Sequence, residues 1–445
     1  MLEVLNTLLW GPGTLALILG TGAWLTLRTG GFPQRNLGRA LTLSLGREAR
    51  RKGRGGVSPF GSLMTALAST VGTGNIVGVA AALVSGGPGA LVWMELAAFL
   101  GLAAKFAECM LAVKYRHVRR DGTRWGGPMA VMEMRLGSAG AVLGRFYALF
   151  ALLMAFAMGA MAQSGALADT FSAAFTLPRW RVGLVTAALA LTILLGGIRR
   201  IADISTVLVP VMALLYLGGG LAVILGNLRR LPEAVTLMLR CAVAPEAALG
   251  GALGIVTRRE ALRWGVARSV FSNEAGLGSA AITAACADTE DPVKQGLISM
   301  TGVFFDTMVI CTVTGLAICC SGTLGAADGN GRPLTGAALT LRAFETVLGP
   351  LAPWLIGVAL GLFAFTSVLG CAVQAETTAS YLLGPGAVRP CRVLYGLAVF
   401  AGAVIPMATV LQLADLANAL MAFPNLVCLL LLSDEIAGEC GRKDR

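Results

Sequence analysis

Long apolar stretches without charged side chains alternate with short polar and basic segments along this chain. A run of about 20 apolar residues is long enough to cross the hydrocarbon layer of a membrane as an α-helix. The pattern therefore predicts an all-α polytopic membrane protein. The runs that approach or exceed this length are Val4–Leu27, Gly55–Met94, Phe146–Ala168, Val182–Ile198, Ile204–Leu228, Thr307–Ala327, Thr346–Ala375, Val393–Ala414 and Leu416–Ser433.

The run Gly55–Met94 is too long for a single span, and the turn-forming sequence Ser85–Gly89 divides it. Its second part continues as a predicted helix, Leu91–Val113, although this stretch contains charged residues. Two of them, Lys105 and Glu108, are three positions apart. They can therefore pair on one helix face, which lowers the cost of burying them.

The segment Leu262–Ala287 is harder to assign, because arginines and a glutamate interrupt it and hydropathy alone would leave it out. Including it gives about 11 transmembrane helices. With the N-terminus outside, the basic segment Arg28–Arg54 and the C-terminal tail are then cytoplasmic, as the positive-inside rule prefers. The start of the chain lacks the basic region of a signal peptide. One group of arginines stays outside in either count: Arg229, Arg230, Arg240, Arg258 and Arg259.

Composition excludes several other classes of protein. Of the 445 residues, 56% are hydrophobic and 13% charged, which leaves no room for a separate soluble domain. The net charge of +11 comes from basic residues that cluster beside apolar runs, as at Arg47–Arg54, so we predict contact with membrane lipid and no nucleic-acid partner. Ten scattered cysteines and the lone His117 lack metal-site spacing, so neither a cofactor nor a metal other than a transported cation is expected.

Two apolar stretches carry glycines and small polar residues where a regular helix is expected, Ser69–Asn75 and Asn273–Ser279. Each contains Gly-x-Gly followed by a polar residue. Paired glycine-interrupted spans in two halves of a chain indicate the binding site of a transporter with inverted repeats. A broken helix offers N–H groups for a carboxylate and C=O groups for a cation, which suits a zwitterionic amino acid and a monovalent cation. The alternative is that each glycine only allows close helix packing.

Four collinear motifs resemble the alanine/glycine:cation symporter family over nearly the whole chain. They lie in Phe60–Ala82, Lys105–Arg116, Gly196–Asn227 and Arg263–Ala285. The resemblance implies a LeuT-type fold, with a five-plus-five inverted repeat and two broken helices, and it includes the charged segment as the second broken helix. The implied divisions are an extra helix and basic loop over 1–57, repeats over 58–228 and 246–433, and a cytoplasmic tail over 434–445.

The resemblance also implies which residues bind the transported species. The substrate residues would be Thr73, Gly74, Asn75, Gln163, Asn273, Gly276, Gly278 and Ser279. The cation would be bound by the carbonyls of Ala68 and Val71 and the hydroxyls of Thr366 and Ser367. An open alternative for the two hydroxyls is that they bond the backbone of their own helix.

The chain departs from the family at Cys371, where relatives usually have a tryptophan that is expected to wall the side-chain pocket. Replacing an indole by a thiol removes many contacts and leaves space to be filled. We therefore predict that Cys371 borders a pocket that accepts amino acids larger than alanine. The alternative is that another bulky side chain fills the space.

These features predict a transporter in the cell membrane that carries a small neutral amino acid into the cell with Na⁺, by alternating access. H⁺ coupling is an open alternative. A membrane-embedded enzyme or a channel is disfavoured, because no cluster of catalytic residues is evident and paired broken helices suit a carrier. Asp306 and Asp415 interrupt apolar spans and are further functional candidates, with the open alternative that they lie near helix ends and reach water. Glu376 is a third candidate, for which we consider a gating role.

Overall fold

A computed structural model describes residues 9–52, 57–118, 122–175, 177–243, 258–329, 331–405 and 407–444. The described chain is almost entirely α-helical. Its one sheet within these ranges is a two-stranded antiparallel ribbon, β1 (His117–Val118) with β2 (Arg124–Trp125). The ring of His117 stacks on Trp125 in this ribbon, with 4.5 Å between ring centroids. The ribbon belongs to the connection between two helices, and this is where the histidine lies.

The helices of the first half are α1 (Pro12–Arg28), α2 (Phe32–Arg35), α3 (Leu37–Leu45), α4 (Pro59–Thr70), α5 (Val79–Gly86), α6 (Gly89–Lys114), α7 (Pro128–Met154), α8 (Gln163–Phe175), α9 (Arg179–Leu194), α10 (Gly197–Gly226) and α11 (Leu231–Val243). A π-helical turn, Gly74–Gly78, leads into α5, and another, Ala155–Ala162, joins α7 to α8.

The helices of the second half are α12 (Arg258–Asn273), α13 (Ser279–Ala285), α14 (Pro292–Val303), α15 (Thr312–Ser321), α16 (Gly336–Leu348), α17 (Leu351–Leu383), α18 (Val388–Val404), α19 (Met407–Leu431) and α20 (Ser433–Asp444). A π-helical turn, Phe304–Cys311, joins α14 to α15. Each half thus contains an interrupted helix, α4 with α5 in the first and α12 with α13 in the second.

Seven helices in the described ranges are long and apolar enough to cross a membrane, or up to eight if the bent pair α4 and α5 is counted as one span. The predicted count of about 11 is therefore not established by length and composition. Helices α1 and α9 have 17 and 16 residues, just short of a full span. Helix α12 has a negative mean hydropathy because of its arginines. These are the segments that hydropathy treats least well.

The split of the longest apolar run is confirmed: α5 ends at Gly86, and α6 begins at Gly89 and continues to Lys114. Gly87 lies between them with φ +67°, a backbone conformation that favours glycine. The predicted pairing of Lys105 with Glu108 is confirmed as well, with 3.3 Å between Nζ and Oε1.

Two predicted span boundaries are wrong. The run Thr346–Ala375 is not continuous, because α16 ends at Leu348 and α17 begins at Leu351, after Gly349 with φ +50°. The last two spans do not divide near Asp415. That residue lies inside α19, and α18 ends at Val404. Ile405 has extended backbone and precedes a proline in the sequence, which disfavours helix at that position.

Candidate functional site

The candidate site lies where the two interrupted helices lose their regular hydrogen bonding. Helix α4 ends at Thr70, and helical structure resumes at Gly74 after a bend of 52°. Helix α12 ends at Asn273, and α13 begins at Ser279. The predicted interruptions are therefore confirmed. Backbone groups released inside a membrane protein must find other partners, so each break is a place where polar contacts concentrate.

At the first break, the side chain of Asn75 replaces a missing backbone acceptor. The N–H of Gly72 donates to Asn75 Oδ1 at 2.9 Å. A Cβ at position 72 would lie 2.8 Å from Ser367 Oγ, so glycine allows the break to pack directly against α17. The neighbouring helix approaches equally closely at Gly370, where a Cβ would lie 2.5 Å from the backbone nitrogen of Ser69.

The amide of Asn75 also joins the first break to a buried carboxylate. Its Nδ2 donates to Asp306 Oδ1 at 2.8 Å and to Ser272 Oγ at 3.0 Å. The hydroxyls of Ser272 and Thr307 donate to Asp306 Oδ2 at 2.7 and 2.9 Å. Asp306 is fully buried, and within the described ranges it forms no ion pair. Neutral donors from three elements thus surround a carboxylate that forms no ion pair in the described part of the chain.

At the second break, the chain turns through three residues with positive φ. Glu274 has φ +52°, Gly276 +85° and Gly278 +79°. Positive φ is uncommon for a residue with a side chain, so Glu274 is a strained position that its surroundings must hold. Its carboxylate accepts a hydrogen bond from Ser279 Oγ, at the first residue of α13.

The N–H groups at the second break bind a carboxylate of the protein itself. Glu108 Oε2, from α6, accepts from the N–H groups of Gly276 and Gly278 at 3.2 and 3.0 Å. It also accepts from Asn425 Nδ2 at 3.1 Å. Lys105 donates to the main-chain oxygen of Glu274 at 3.0 Å while it pairs with Glu108. Both backbone donors are therefore already occupied by an anion.

Asn273 stabilises the same break from inside. Its Oδ1 accepts from the N–H of Ala275 at 2.9 Å. Its Nδ2 donates to Ser269 Oγ at 3.2 Å and to Thr307 Oγ1 at 3.0 Å. All of these groups are buried, so in this conformation Asn273 holds the break and does not face open space.

A cavity of about 370 Å³ adjoins the first break. The predicted substrate residues Thr73, Gly74 and Gln163 line it, and Thr73 Oγ1 donates to Gln163 Oε1 at 3.4 Å. Most of the remaining lining is apolar. It includes Met158, Ala162, Ala166, Phe271, Ala337, Leu360 and Leu411. The other predicted substrate residues do not line this cavity; they are Asn75, Asn273, Gly276, Gly278, Ser279 and Cys371.

The four predicted cation residues lie on two helices that pack together, α4 with its break and α17. Thr366 Oγ1 donates to the carbonyls of Leu362 and Phe363 at 2.9 and 3.0 Å. Ser367 Oγ donates to the carbonyl of Phe363 at 3.0 Å. In this conformation both hydroxyls therefore donate to the backbone of their own helix, as the alternative interpretation predicts. A hydroxyl that donates still has lone pairs to offer a cation.

Cys371 is buried beside the π-helical turn Ala155–Ala162 and α18, and it lies outside the cavity. A Cβ on Gly159 would lie 2.8 Å from the Cys371 Sγ and 2.9 Å from the hydroxyl of Tyr395. Tyr395 is fully buried and donates to the carbonyl of Val368 at 2.9 Å. The space beside the thiol is thus occupied by a neighbouring backbone and a tyrosine.

Ion pairs and backbone contacts close the opposite end of the bundle. Arg116, just after α6, donates to the carbonyl of Ala287 at 2.6 Å. Arg124 pairs with Asp288 and, at 2.7 Å, with Glu290. Other ion pairs at this end include Lys52 with Asp203, Lys294 with Glu48, Lys443 with Asp291, and Arg392 with Glu376. Because Lys294 donates to and attracts its carboxylate, the pKa of Glu48 is lowered.

Two charged groups near the breaks were given no site role by the sequence reasoning. Glu108 was identified only as the partner of Lys105, and its contact with the second break could not be inferred because α6 and α12 are far apart in the sequence. Arg268 is one of the arginines that interrupt the segment Leu262–Ala287, yet it lines the cavity. A charge on a glycine-interrupted apolar segment is the signal that could have identified Arg268.

Residues 1–441 match the model of the sodium:alanine symporter family. The sodium/alanine symporter AgcS of Methanococcus maripaludis is 41% identical over 99% of this chain and 96% of its own length. The probable sodium/glutamine symporter GlnT of Bacillus subtilis is 36% identical over 97% and 87%.

Among solved structures, the fold resembles Mhp1, a nucleobase-cation-symport-1 family transporter. The TM-score is 0.54 with 12% sequence identity, over 90% of this chain and 96% of that one. This similarity shows a LeuT-type fold, and the relatives are transporters and not enzymes. The chain belongs to the sodium:alanine symporter family.

Proposed function

We propose that this protein carries a small neutral amino acid into the cell together with Na⁺, by alternating access around the two breaks. The observation that carries the proposal is the placement of a cavity directly against the first break, with polar groups from both broken helices behind it. Mid-membrane breaks with released backbone groups are where transporters of this architecture bind substrate and ion.

The substrate would enter the cavity beside Thr73, Gly74 and Gln163. These residues offer a hydroxyl, an amide and a flexible backbone to a zwitterion, while the apolar lining suits a small side chain. The other predicted substrate residues would stabilise the breaks, and they would contact the substrate only after a conformational change. They are Asn75, Asn273, Gly276, Gly278 and Ser279.

The negative charge of Asp306 favours a cation near the first break, because an ionised carboxylate inside a membrane protein is costly without compensation. The carbonyls of Ala68 and Val71 and the hydroxyls of Thr366 and Ser367 would complete an oxygen-rich site for Na⁺. The names of AgcS and GlnT both include sodium, which supports Na⁺ over H⁺. Proton coupling through the Asp306 carboxylate is the second candidate.

Alternating access requires one end of the bundle to close while the other is open. The cavity is bordered by the first turns of α5 and α8 and by the last turns of α12, away from the end closed by Arg116 and Arg124. If the N-terminus is outside and the tail cytoplasmic, this conformation faces outward. Transport would then require the ion pairs of Arg124 to break.

The test is uptake of radiolabelled alanine by the purified protein in liposomes. An inward Na⁺ gradient is expected to drive accumulation, and an equal K⁺ gradient is not. Preloading with unlabelled alanine should accelerate entry of the label, as expected for a carrier and not for a channel. Accumulation driven by a pH gradient in the absence of Na⁺ would contradict Na⁺ coupling. Absence of uptake for every small neutral amino acid would contradict the whole proposal.

A further inference from the structure

The cavity contains a guanidinium that the proposed function does not use. Arg268 lies on α12, five positions before the second break, and lines the cavity. Its Cζ is 5.4 Å from the ring centroid of Trp264 and 5.2 Å from that of Phe271, so two aromatic faces hold it by cation–π contacts. Its stem lies against Gly78 of the first broken helix, where a Cβ would be 3.8 Å from the arginine Cδ.

The charge of Arg268 is not neutralised by direct contact. Its Nε is buried and has no hydrogen-bond partner, and no carboxylate oxygen in the described part of the chain lies within 4 Å of the guanidinium. Asp169, the acidic residue in the cavity lining, is already paired with Arg179 at 2.8 Å. Asp415 of α19 acts on Arg268 electrostatically, from beyond that distance.

A cation in an apolar cavity attracts an anion strongly, because low-dielectric walls focus its field. Arginine is well suited to a carboxylate, since its planar fork can donate two parallel hydrogen bonds. The same cavity contains Gln163, whose Oε1 can accept from an ammonium group. The guanidinium of Arg268 can bind a carboxylate, and Oε1 of Gln163 can bind an ammonium group in the same cavity. Together they suit a zwitterion better than a simple anion.

We propose that Arg268 binds the α-carboxylate of the incoming amino acid, which gives the cavity a carboxylate subsite outside both breaks. This inference rests on the proposed function and assigns a specific group to substrate capture. It explains how substrate can be recognised while Glu108 still occupies the N–H groups of the second break. It also implies that amino acids with a cationic side chain are disfavoured, because their extra charge faces Arg268.

The experiment is equilibrium binding of radiolabelled alanine to the purified full-length protein at saturating Na⁺. The variants are Arg268→Gln, Arg268→Lys, and the matched control Arg263→Gln, which removes an exposed arginine from the same helix. We expect Arg268→Gln to raise the Kd for alanine at least about tenfold, equivalent to about 1.4 kcal/mol. Arg268→Lys should fall between this variant and the native protein, and Arg263→Gln should match the native protein.

Asp415→Asn separates carboxylate capture from a gate in which Arg268 only pairs with Asp415. If Arg268 binds substrate, removing the distant acid leaves the Kd unchanged or lowers it. Equal weakening by Asp415→Asn and Arg268→Gln would overturn the proposal in favour of a gate. An unchanged Kd in Arg268→Gln would also overturn it, even if transport slowed.

The outcomes also separate this inference from the proposed function. If the native protein neither binds nor transports any small neutral amino acid, the proposed function fails. If it does both, and Arg268→Gln binds alanine normally, the carboxylate subsite alone is wrong. Should Arg268→Gln not fold, Arg268→Lys decides the matter, because it keeps the stem and the charge but loses the planar fork. Native affinity in that variant would contradict fork-like binding.

Discussion

The two broken helices solve the same backbone problem with different partners. At the first break, the N–H of Gly72 binds the neutral amide of Asn75, and the cavity lies directly alongside. At the second, two N–H groups bind the carboxylate of Glu108. The first break therefore adjoins open space, while the second is held by an internal anion. This difference suggests that substrate binds first beside α4 and α5.

The largest effect is expected from Asn75→Ala. The change removes the acceptor for the Gly72 N–H and a donor to Asp306, leaving two buried groups without their partners. Uptake of alanine should fall by at least about a hundredfold, with normal insertion in the membrane. The matched control is Asn36→Ala, whose amide bonds only its own turn. Near-native uptake by Asn75→Ala would show that the first break is not the site.

The internal anion at the second break is tested by Glu108→Gln and Lys105→Met, alone and together. Each single change leaves the other charge buried and unpaired, which typically costs about 3–5 kcal/mol. The double variant should be more stable than either single variant. Thermal unfolding in detergent measures this non-additivity. Simple addition of the two losses would mean that the pair observed at 3.3 Å contributes no coupling.

The predicted cation site is tested by replacing Thr366 and Ser367 together with alanine. If these hydroxyls bind Na⁺, the Na⁺ concentration for half-maximal uptake should rise about tenfold or more. Thr377→Ala is the control, because its hydroxyl also bonds its own helix but lies further along α17. Unchanged Na⁺ dependence would place the cation elsewhere, with Asp306 as the next candidate.

The smallest effect is expected for substrate size at Cys371. Gly159 and Tyr395 occupy the space beside this thiol, so a larger pocket requires them to move. Competition of labelled alanine uptake by serine, threonine and glutamine in the native protein measures the range. Competition by all three would support the prediction of a wider pocket. If only alanine and glycine compete, the alternative that another side chain fills the space holds.

The sequence was most informative where local chemistry decides the structure. Both breaks could be predicted because pairs of glycines interrupt apolar runs, Gly72 with Gly74 and Gly276 with Gly278. The pairing of Lys105 with Glu108 could be predicted because the two residues lie one turn apart. Family resemblance supplied the fold. The predicted boundary near Asp415 is wrong because a single charge does not end a helix, whereas the proline at 406 is the stronger signal for a boundary.

Contacts between segments that are distant along the chain could not be predicted from the sequence. Nothing local indicates that Glu108 reaches Gly276 and Gly278, about 170 residues away, or that Asn75 meets Asp306. Such contacts depend on how the helices pack, which a single sequence does not specify. For the same reason, the sequence predicts that Cys371 borders a pocket, although the π-helical turn Ala155–Ala162 covers it in this conformation.

We propose that the amino acid and Na⁺ bind cooperatively at the first break, so that each increases the affinity of the protein for the other. Binding linkage makes this reciprocal: Na⁺ must increase the affinity for alanine by the same factor by which alanine increases the affinity for Na⁺. Titrating labelled alanine at several Na⁺ concentrations, and labelled Na⁺ with and without alanine, measures both factors on the purified protein. We predict equal factors of at least about tenfold, both lost in Asn75→Ala. A Kd for alanine that is independent of Na⁺ would contradict the account.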